Sequence, residues 1–326
     1  TESLESRQLL ASDLTTSLSI TPGAVLPGGT INFKFSVSNL GLTTVTPTFS
    51  VDFRLSKDTT WGNADDVGNV SVPVSTDVPP GTFPVDFDAA LPIGVAAAGQ
   101  YFVGIFIDSG NSVAESNENN NKTFSSLAAI DVLTAAGVLV VPGTGVKDTI
   151  RLSRSGTTLT VKIDPSTVRN YSTNLVKGVL VQAGAGNDYI YINNGVRNVT
   201  AYGDNGDDYI KDGDQANTLN GGSGNDRIYA GAGNDKVTGG SNNDKLYGEN
   251  GHDRIYGDSG NDWLDGGNHN DRLYDSSGTD TFYGQAGDDT IYCRDSRNEF
   301  VFGGLGIDGV QHDVGDILNG TETEIV

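Results

Sequence analysis

Aspartate recurs through the second half of this 326-residue chain at a spacing that points to metal chemistry. Asp208, Asp226, Asp235, Asp244, Asp253, Asp262, Asp271, Asp280 and Asp289 lie nine or eighteen residues apart, and Asp188 precedes them in AGAGNDYIY (183–191). Each is the sixth residue of a nonapeptide. Eight copies run unbroken from GGSGNDRIY (221–229) to GQAGDDTIY (284–292), flanked by weaker copies at 203–211, 212–220 and 293–301. Carboxylates stacked one strand spacing apart, about 4.8 Å, repel unless a cation lies between them. Loops offering carbonyl and carboxylate oxygens suit a hard divalent ion with about 6–8 oxygen ligands, and calcium fits better than magnesium, which keeps its waters. Were the loops plain turns, these charges would have no evident compensation.

The repeat also dictates the elements that carry the loops. Six residues, GGxGxD, form a turn and three form a short strand. Position 8 is apolar in every copy: Ile210, Leu219, Ile228, Val237, Leu246, Ile255, Leu264, Leu273, Phe282, Ile291 and Phe300. It is expected to point inward, with positions 7 and 9 pointing outward, because strand side chains alternate faces. Glycine at positions 1, 2 and 4 suits positive φ and close-packed loops. Two nonapeptides make one 18-residue coil, so loops alternate sides and each stacks on the loop two repeats away. On the outer faces, positions 7 and 9 place Lys236, Arg254 and Arg272 beside Tyr256, Tyr274 and Tyr292, and Arg227, Lys245 and Trp263 beside Tyr229, Tyr247 and Tyr283. Such ladders serve either cross-strand packing or stacking of a sugar or partner.

These nonapeptides resemble the RTX, or haemolysin-type, calcium-binding repeats over about a third of the chain. The resemblance implies a parallel β-roll in which one ion takes the carbonyls of positions 2 and 4 and the aspartate of one loop. It also takes the carbonyls of positions 1 and 3 and the aspartate two repeats on. Carried over, one site is Gly222, Gly224 and Asp226 with Gly239, Ser241 and Asp244. Its opposite number is Gly231, Gly233 and Asp235 with Gly248, Asn250 and Asp253. Departures occur at position 4 (Asn242, His269) and position 6 (Asn217, Asn298). Asparagine tolerates left-handed backbone, whereas the position 6 changes remove a charge. Roughly six to nine calcium ions are expected.

The rest of the chain reads as all-β. A tail, residues 1–12, precedes candidate strands Asp13–Thr21, Thr30–Asn39, Thr48–Leu55, Phe83–Phe87 and Tyr101–Asp108 in a domain spanning 13–131, punctuated by TPGAVLPGG and VPPGTFP as in a β-sandwich. SVSNLG (36–41), FRLSKDTTWGNADDVG (53–68) and GQYFVGIFIDSGNSVAESNENNN (99–121) resemble the CARDB family, which implies an immunoglobulin-like sandwich acting in adhesion rather than catalysis. Two acidic clusters, Asp58/Asn63/Asp65/Asp66 and Asp108/Asn111/Glu115/Asn117/Glu118/Asn120, read as solvated turns or as side-chain calcium sites. Residues 132–182 read as a linker and N-terminal cap of the roll, with GTGVKDTIR (143–151) an eroded nonapeptide, SGTTLTVKI (155–163) a hairpin arm and 175–182 a strand. The roll proper is assigned to 183–311 and a C-terminal cap to 312–326.

Composition narrows the function. Net charge is −22, and residues 181–326, with 26 acidic and 9 basic side chains, hold −17 of it. So acidic a chain is a poor ligand for nucleic acid or anionic membrane, and no run of about 20 apolar residues spans a bilayer. The single cysteine, Cys293, forms no internal disulfide, and the three histidines match no zinc or triad spacing. The start at Thr1 and the lack of methionine suggest a processed or partial chain. TESLESRQLLAS looks like the L-E-x-R-x-L-L-A stretch near the N-termini of large secreted planctomycete-type proteins. The expectation is a secreted bacterial, non-enzymatic calcium-binding adhesion module whose roll folds on calcium and which meets a cell-surface, matrix or polysaccharide partner. The alternatives are the accessory end of a larger secreted enzyme, and a glycan-binding module using the tyrosine ladders.

Overall fold

The computed structural model describes residues 14–20, 30–39, 44, 50–56, 69–73, 81–92, 99–107, 122–124, 128–130, 132–134, 136–163, 167–320 and 323–324. The chain divides into two compact units, Thr1–Val132 and Leu133–Val326. Strands are the regular elements of both among the described residues. No helix there is long and apolar enough to cross a membrane.

The first unit is an immunoglobulin-like pair of antiparallel sheets. One orders Leu14–Ile20, Thr30–Asn39 and Gly81–Pro92; the other orders Asn69–Pro73, Ser50–Ser56, Gly99–Ile107 and Lys122–Phe124, with Ala128–Ile130 also on Gly99–Ile107. The expected strands are present, the fourth extended at both ends to Gly81–Pro92. Asn69–Pro73 is an addition. It is five residues long, ends in proline and lies at a sheet edge, the place where a strand tolerates a missing N–H. Both acidic clusters of this unit lie outside the described residues.

The second unit is a parallel β-roll. Two eleven-stranded sheets face one core, and successive strands alternate between them. Pairing advances by one 18-residue coil, so Ile210, Ile228, Leu246, Leu264 and Phe282 form one interior row, and Leu219, Val237, Ile255, Leu273 and Ile291 the other. All ten are fully buried. The coil begins well ahead of the clear repeats. Val138–Pro142 pairs in parallel with Gly178–Gln182, and Thr149–Ser155 with Tyr189–Ile192. The eroded copy GTGVKDTIR is thus a first rung, with Asp148 and Ile150 both buried. Thr149–Ser155, Thr158–Ile163 and Thr167–Ser172 form an antiparallel extension that covers the sheet's leading edge, where an open row of backbone groups invites aggregation.

One sequence assignment is corrected. Phe300 does not point inward: it is 41% exposed, while Val301 is fully buried opposite Phe282. The copy starting at Cys293 is one residue longer than its neighbours, as the 19-residue step from Asp289 to Asp308 also shows. With Val301 inside, Phe302 stacks on Tyr283 at 4.8 Å and 8°, which continues the outer aromatic row. The slip moves Glu299, rather than Asn298, into the slot of the position 6 aspartates; it is 1% exposed.

Candidate metal centres

The loops owe their shape to backbone conformation. Positions 2 and 4 take positive φ, as at Gly222 (113°) and Gly224 (133°), Gly240 (118°) and Asn242 (78°), and Gly267 (101°) and His269 (80°). The departures at Asn242 and His269 therefore keep the repeat's left-handed backbone. Between those residues the chain folds back tightly, so the aspartate lies across its own position 1. A Cβ on Gly221, Gly239, Gly257 or Gly284 would run into Oδ2 of Asp226, Asp244, Asp262 or Asp289. Adjacent coils also touch directly. A Cβ on Gly251, whose φ is 151°, would overlap the Gly233 carbonyl one coil earlier. Gly251→Val is therefore expected to cost about 3 kcal/mol, read from urea unfolding in saturating calcium. A shift below about 0.5 kcal/mol would mean that the loop yields freely.

Each position 6 aspartate is 0–3% exposed. Its Oδ1 accepts the backbone N–H of the aspartate one coil earlier: Asp208 N–H to Asp226 at 2.7 Å, Asp226 N–H to Asp244 at 2.7 Å, Asp244 N–H to Asp262 at 2.8 Å and Asp262 N–H to Asp280 at 2.8 Å. In the opposite column, Asp235, Asp253, Asp271 and Asp289 repeat the pattern. Asn217 enters this second ladder through its Oδ1, which accepts the Val199 N–H at 2.8 Å, so losing the charge does not break the stack. The other oxygen is the informative one. Oδ2 of Asp188, Asp208, Asp226, Asp235, Asp244, Asp253, Asp262, Asp271, Asp280 and Asp289 is buried without a hydrogen-bond partner.

Buried acceptors with nothing to accept are costly, and here they recur at every coil. Burial pushes the carboxyls up from their ordinary 3.8, against the pull of the backbone N–H bond: Asp226 to about 6, Asp235, Asp253, Asp262 and Asp289 to about 7, and Asp244 and Asp271 to about 8. A carboxylate row that stays dry and ionised calls for cations, and the donor set is all oxygen, as a hard ion requires. The residues expected to share a site are brought together: Gly222 and Ser223 stack on Gly240 and Ser241, and Asp226 bonds directly to Asp244. In the other column, the Asn250 N–H donates to the Gly231 carbonyl at 2.8 Å and Asp235 meets Asp253. Gly239 and Gly248 adjoin the aspartates of their own loops, Asp244 and Asp253.

Three acidic residues join these rows beyond those expected from the repeat. Asp308 accepts the Asp289 N–H at 3.0 Å, and Asp148 donates its N–H to Asp188 at 2.7 Å. Asp148 was legible in the eroded copy GTGVKDTIR, whereas Asp308 lies one residue out of the repeat's register. Glu299 was hidden by the one-residue slip.

Comparison with known families agrees with this geometry. Residues 11–125 match the CARDB family, and residues 180–195 and 202–292, in overlapping copies, match the RTX calcium-binding nonapeptide repeat. The chain thus carries a CARDB domain followed by a roll of RTX calcium-binding repeats. Similar solved structures include a CARDB domain from Pyrococcus furiosus in complex with di-metal ions (22% identity, TM-score 0.26, 37% of this chain and 89% of that one). The same domain solved in solution gives 21% identity, a TM-score of 0.27 and 37% and 96% coverage. A domain from Methanosarcina acetivorans gives 21%, 0.26, and 37% and 93%. No curated protein matches.

Proposed function

We propose that this chain is an extracellular structural or adhesion module whose roll is folded and held by calcium. The row of buried, unpartnered Oδ2 atoms carries this reading. Folding brings these oxygens into a dry interior, and for the ionised carboxylates a bound cation offsets the cost, so binding free energy becomes folding free energy. Outside the cell calcium is plentiful and the roll closes; at cytosolic levels it stays open. Ions lie between loops of one column. In the repeat's pattern, Gly222, Gly224 and Asp226 with Gly239, Ser241 and Asp244 hold one, and Gly231, Gly233 and Asp235 with Gly248, Asn250 and Asp253 hold another. Asp188, Asp208, Asp262, Asp271, Asp280 and Asp289 serve further ions. The CARDB domain supplies the adhesive half.

The outer ladders favour packing over sugar recognition. Tyr229 stacks on Tyr247 at 4.7 Å and 6°, Tyr256 on Tyr274 at 4.8 Å and 8°, and Tyr274 on Tyr292 at 4.6 Å and 3°. These rings cover each other's faces, the surfaces a sugar would need.

Calorimetric titration of calcium into chelator-stripped protein tests the reading. Roughly six to nine ions are expected, with proton release near neutral pH. Uptake of none or one would sink it.

A further inference from the structure

Two loops of the roll, 212–217 and 275–280, carry aspartate at position 1. Asp212 accepts a hydrogen bond from the Asn217 side-chain amide at 2.7 Å, whereas Asp275 meets other carboxylates. Loop 275–280 has aspartate where the copies on either side have glycine at position 1, and neither Ser276 nor Gly278 takes the positive φ that positions 2 and 4 take in the copies starting at 221, 230, 239, 248, 257, 266 and 284. The extra side chain enters the space between two coils. A Cβ on Gly257 would meet Asp275 Oδ1 at 2.5 Å and Asp262 Oδ2 at 2.7 Å. Asp262, Asp275 and Asp280 each place one carboxylate oxygen within 4.8 Å of the others. Asp262 is 3% exposed and Asp280 is fully buried. Oδ2 of both, and both oxygens of Asp275, are buried without a hydrogen-bond partner. One coil further, Asp280, Asp295 and Glu299 form a second such group, and both carboxylate oxygens of Glu299 are again buried and unpartnered.

In the later group both Asp295 oxygens already accept backbone N–H bonds, from Gly278 and Arg297. In the earlier coils of this column, two neighbouring loops bring two aspartates to the space between them and leave backbone carbonyls to supply the remaining oxygens. Here three carboxylates converge with altered backbone around them. Ligand charge count is one of the determinants of an oxygen site's affinity for calcium, and three carboxylates in a dry pocket stay ionised only with a cation between them, the alternative being protonation. A larger, flexible-coordination ion fits irregular carboxylates better than magnesium with its octahedral water shell.

We propose that Asp262, Asp275 and Asp280 form a side-chain-dominated calcium site that is the tightest in the roll and the last to empty. This rests on the reading that the loops bind calcium. It locates the strongest clamp near the C-terminal end, in the coil ahead of Glu299. The last coils, where Ile317 and Val314 are exposed, are then held when the rest of the roll has lost its ions.

The chain has two tryptophans, Trp61 and Trp263, and Trp263 directly follows Asp262. Terbium, a calcium mimic, will therefore report this site through Trp263. The measurement is terbium luminescence excited at the red edge of tryptophan absorption, on a Trp61→Phe background, with calorimetric calcium titration alongside. The first terbium equivalents are expected to light Trp263, and calcium to displace them last. Asp275→Asn and Asp275→Gly, the latter restoring the repeat residue, are expected to weaken this class at least about tenfold while the remaining ions bind as before. Early equivalents that leave Trp263 dark, or a tight class untouched by both substitutions, would overturn the proposal even if many calcium ions bind. A wild-type chain that takes up no calcium would instead overturn the reading beneath it.

Discussion

Stripping calcium at pH near 8 is expected to remove most of the strand signal that residues 133–320 contribute to far-UV circular dichroism, and readdition to restore it. The sign of the pH dependence follows from the carboxyl shifts. Folding raises Asp244 and Asp271 to about 8 and Asp235, Asp253, Asp262 and Asp289 to about 7, from 3.8. A carboxyl whose pKa is raised by folding favours the folded state while it is protonated. That contribution is complete below the ordinary carboxylate pKa and is lost as pH climbs through the folded value. These carboxyls therefore stabilise the metal-free roll most below about pH 4, and that stability is lost progressively up to about pH 8. Calcium reverses the trend, because it binds the ionised form and displaces the proton. Its affinity should rise steeply over the same interval. Circular dichroism in chelator at about pH 5 and pH 8 checks this directly. Full strand content in both would show that the stacked backbone ladders alone hold the roll, and the carboxylate argument would fail.

Replacing Phe282 by alanine is expected to produce the largest loss among single interior substitutions, about 3–5 kcal/mol. Phe282 is fully buried and is the largest such side chain among the described residues. It sits between Leu264 and Val301 in its own row, so truncation empties the core of one coil. In a stacked array each unit leans on its neighbours. The damage should therefore show as faster amide exchange in Trp263–Asn268 and Phe300–Leu305, with Tyr209–Lys211 protected as before. A loss below about 1 kcal/mol, or exchange raised evenly through the roll, would contradict that local picture.

Most of the roll was legible from period alone. A nine-residue repeat with one apolar position assigns every rung its inward side chain, and the aspartates fall into two columns without further information. The exceptions share a cause: they depend on contacts between coils. Nothing within CRDSRNEFV says whether Phe300 or Val301 goes inside. The choice rests on Phe302 finding Tyr283 and Val301 finding Phe282, both a coil away. Asp275 stands at a glycine position of its copy, and what it does there is visible only in the fold, which puts it beside Asp262. The antiparallel strand Thr167–Ser172 carries no repeat and is defined by its partner Thr158–Ile163. In the sandwich, the short strands Asn69–Pro73, Lys122–Phe124 and Ala128–Ile130 were too weak to be read locally.

The alternation of successive strands between two sheets gives the roll a parity. Removing eighteen residues, such as 221–238, takes out one whole coil and leaves every later residue on the sheet it occupied before. Removing nine sends everything downstream to the opposite sheet, and the C-terminal strands then arrive on the wrong side. The natural unit of length for this protein is therefore the pair of repeats, and the distance between its two ends can change only in steps of a full coil.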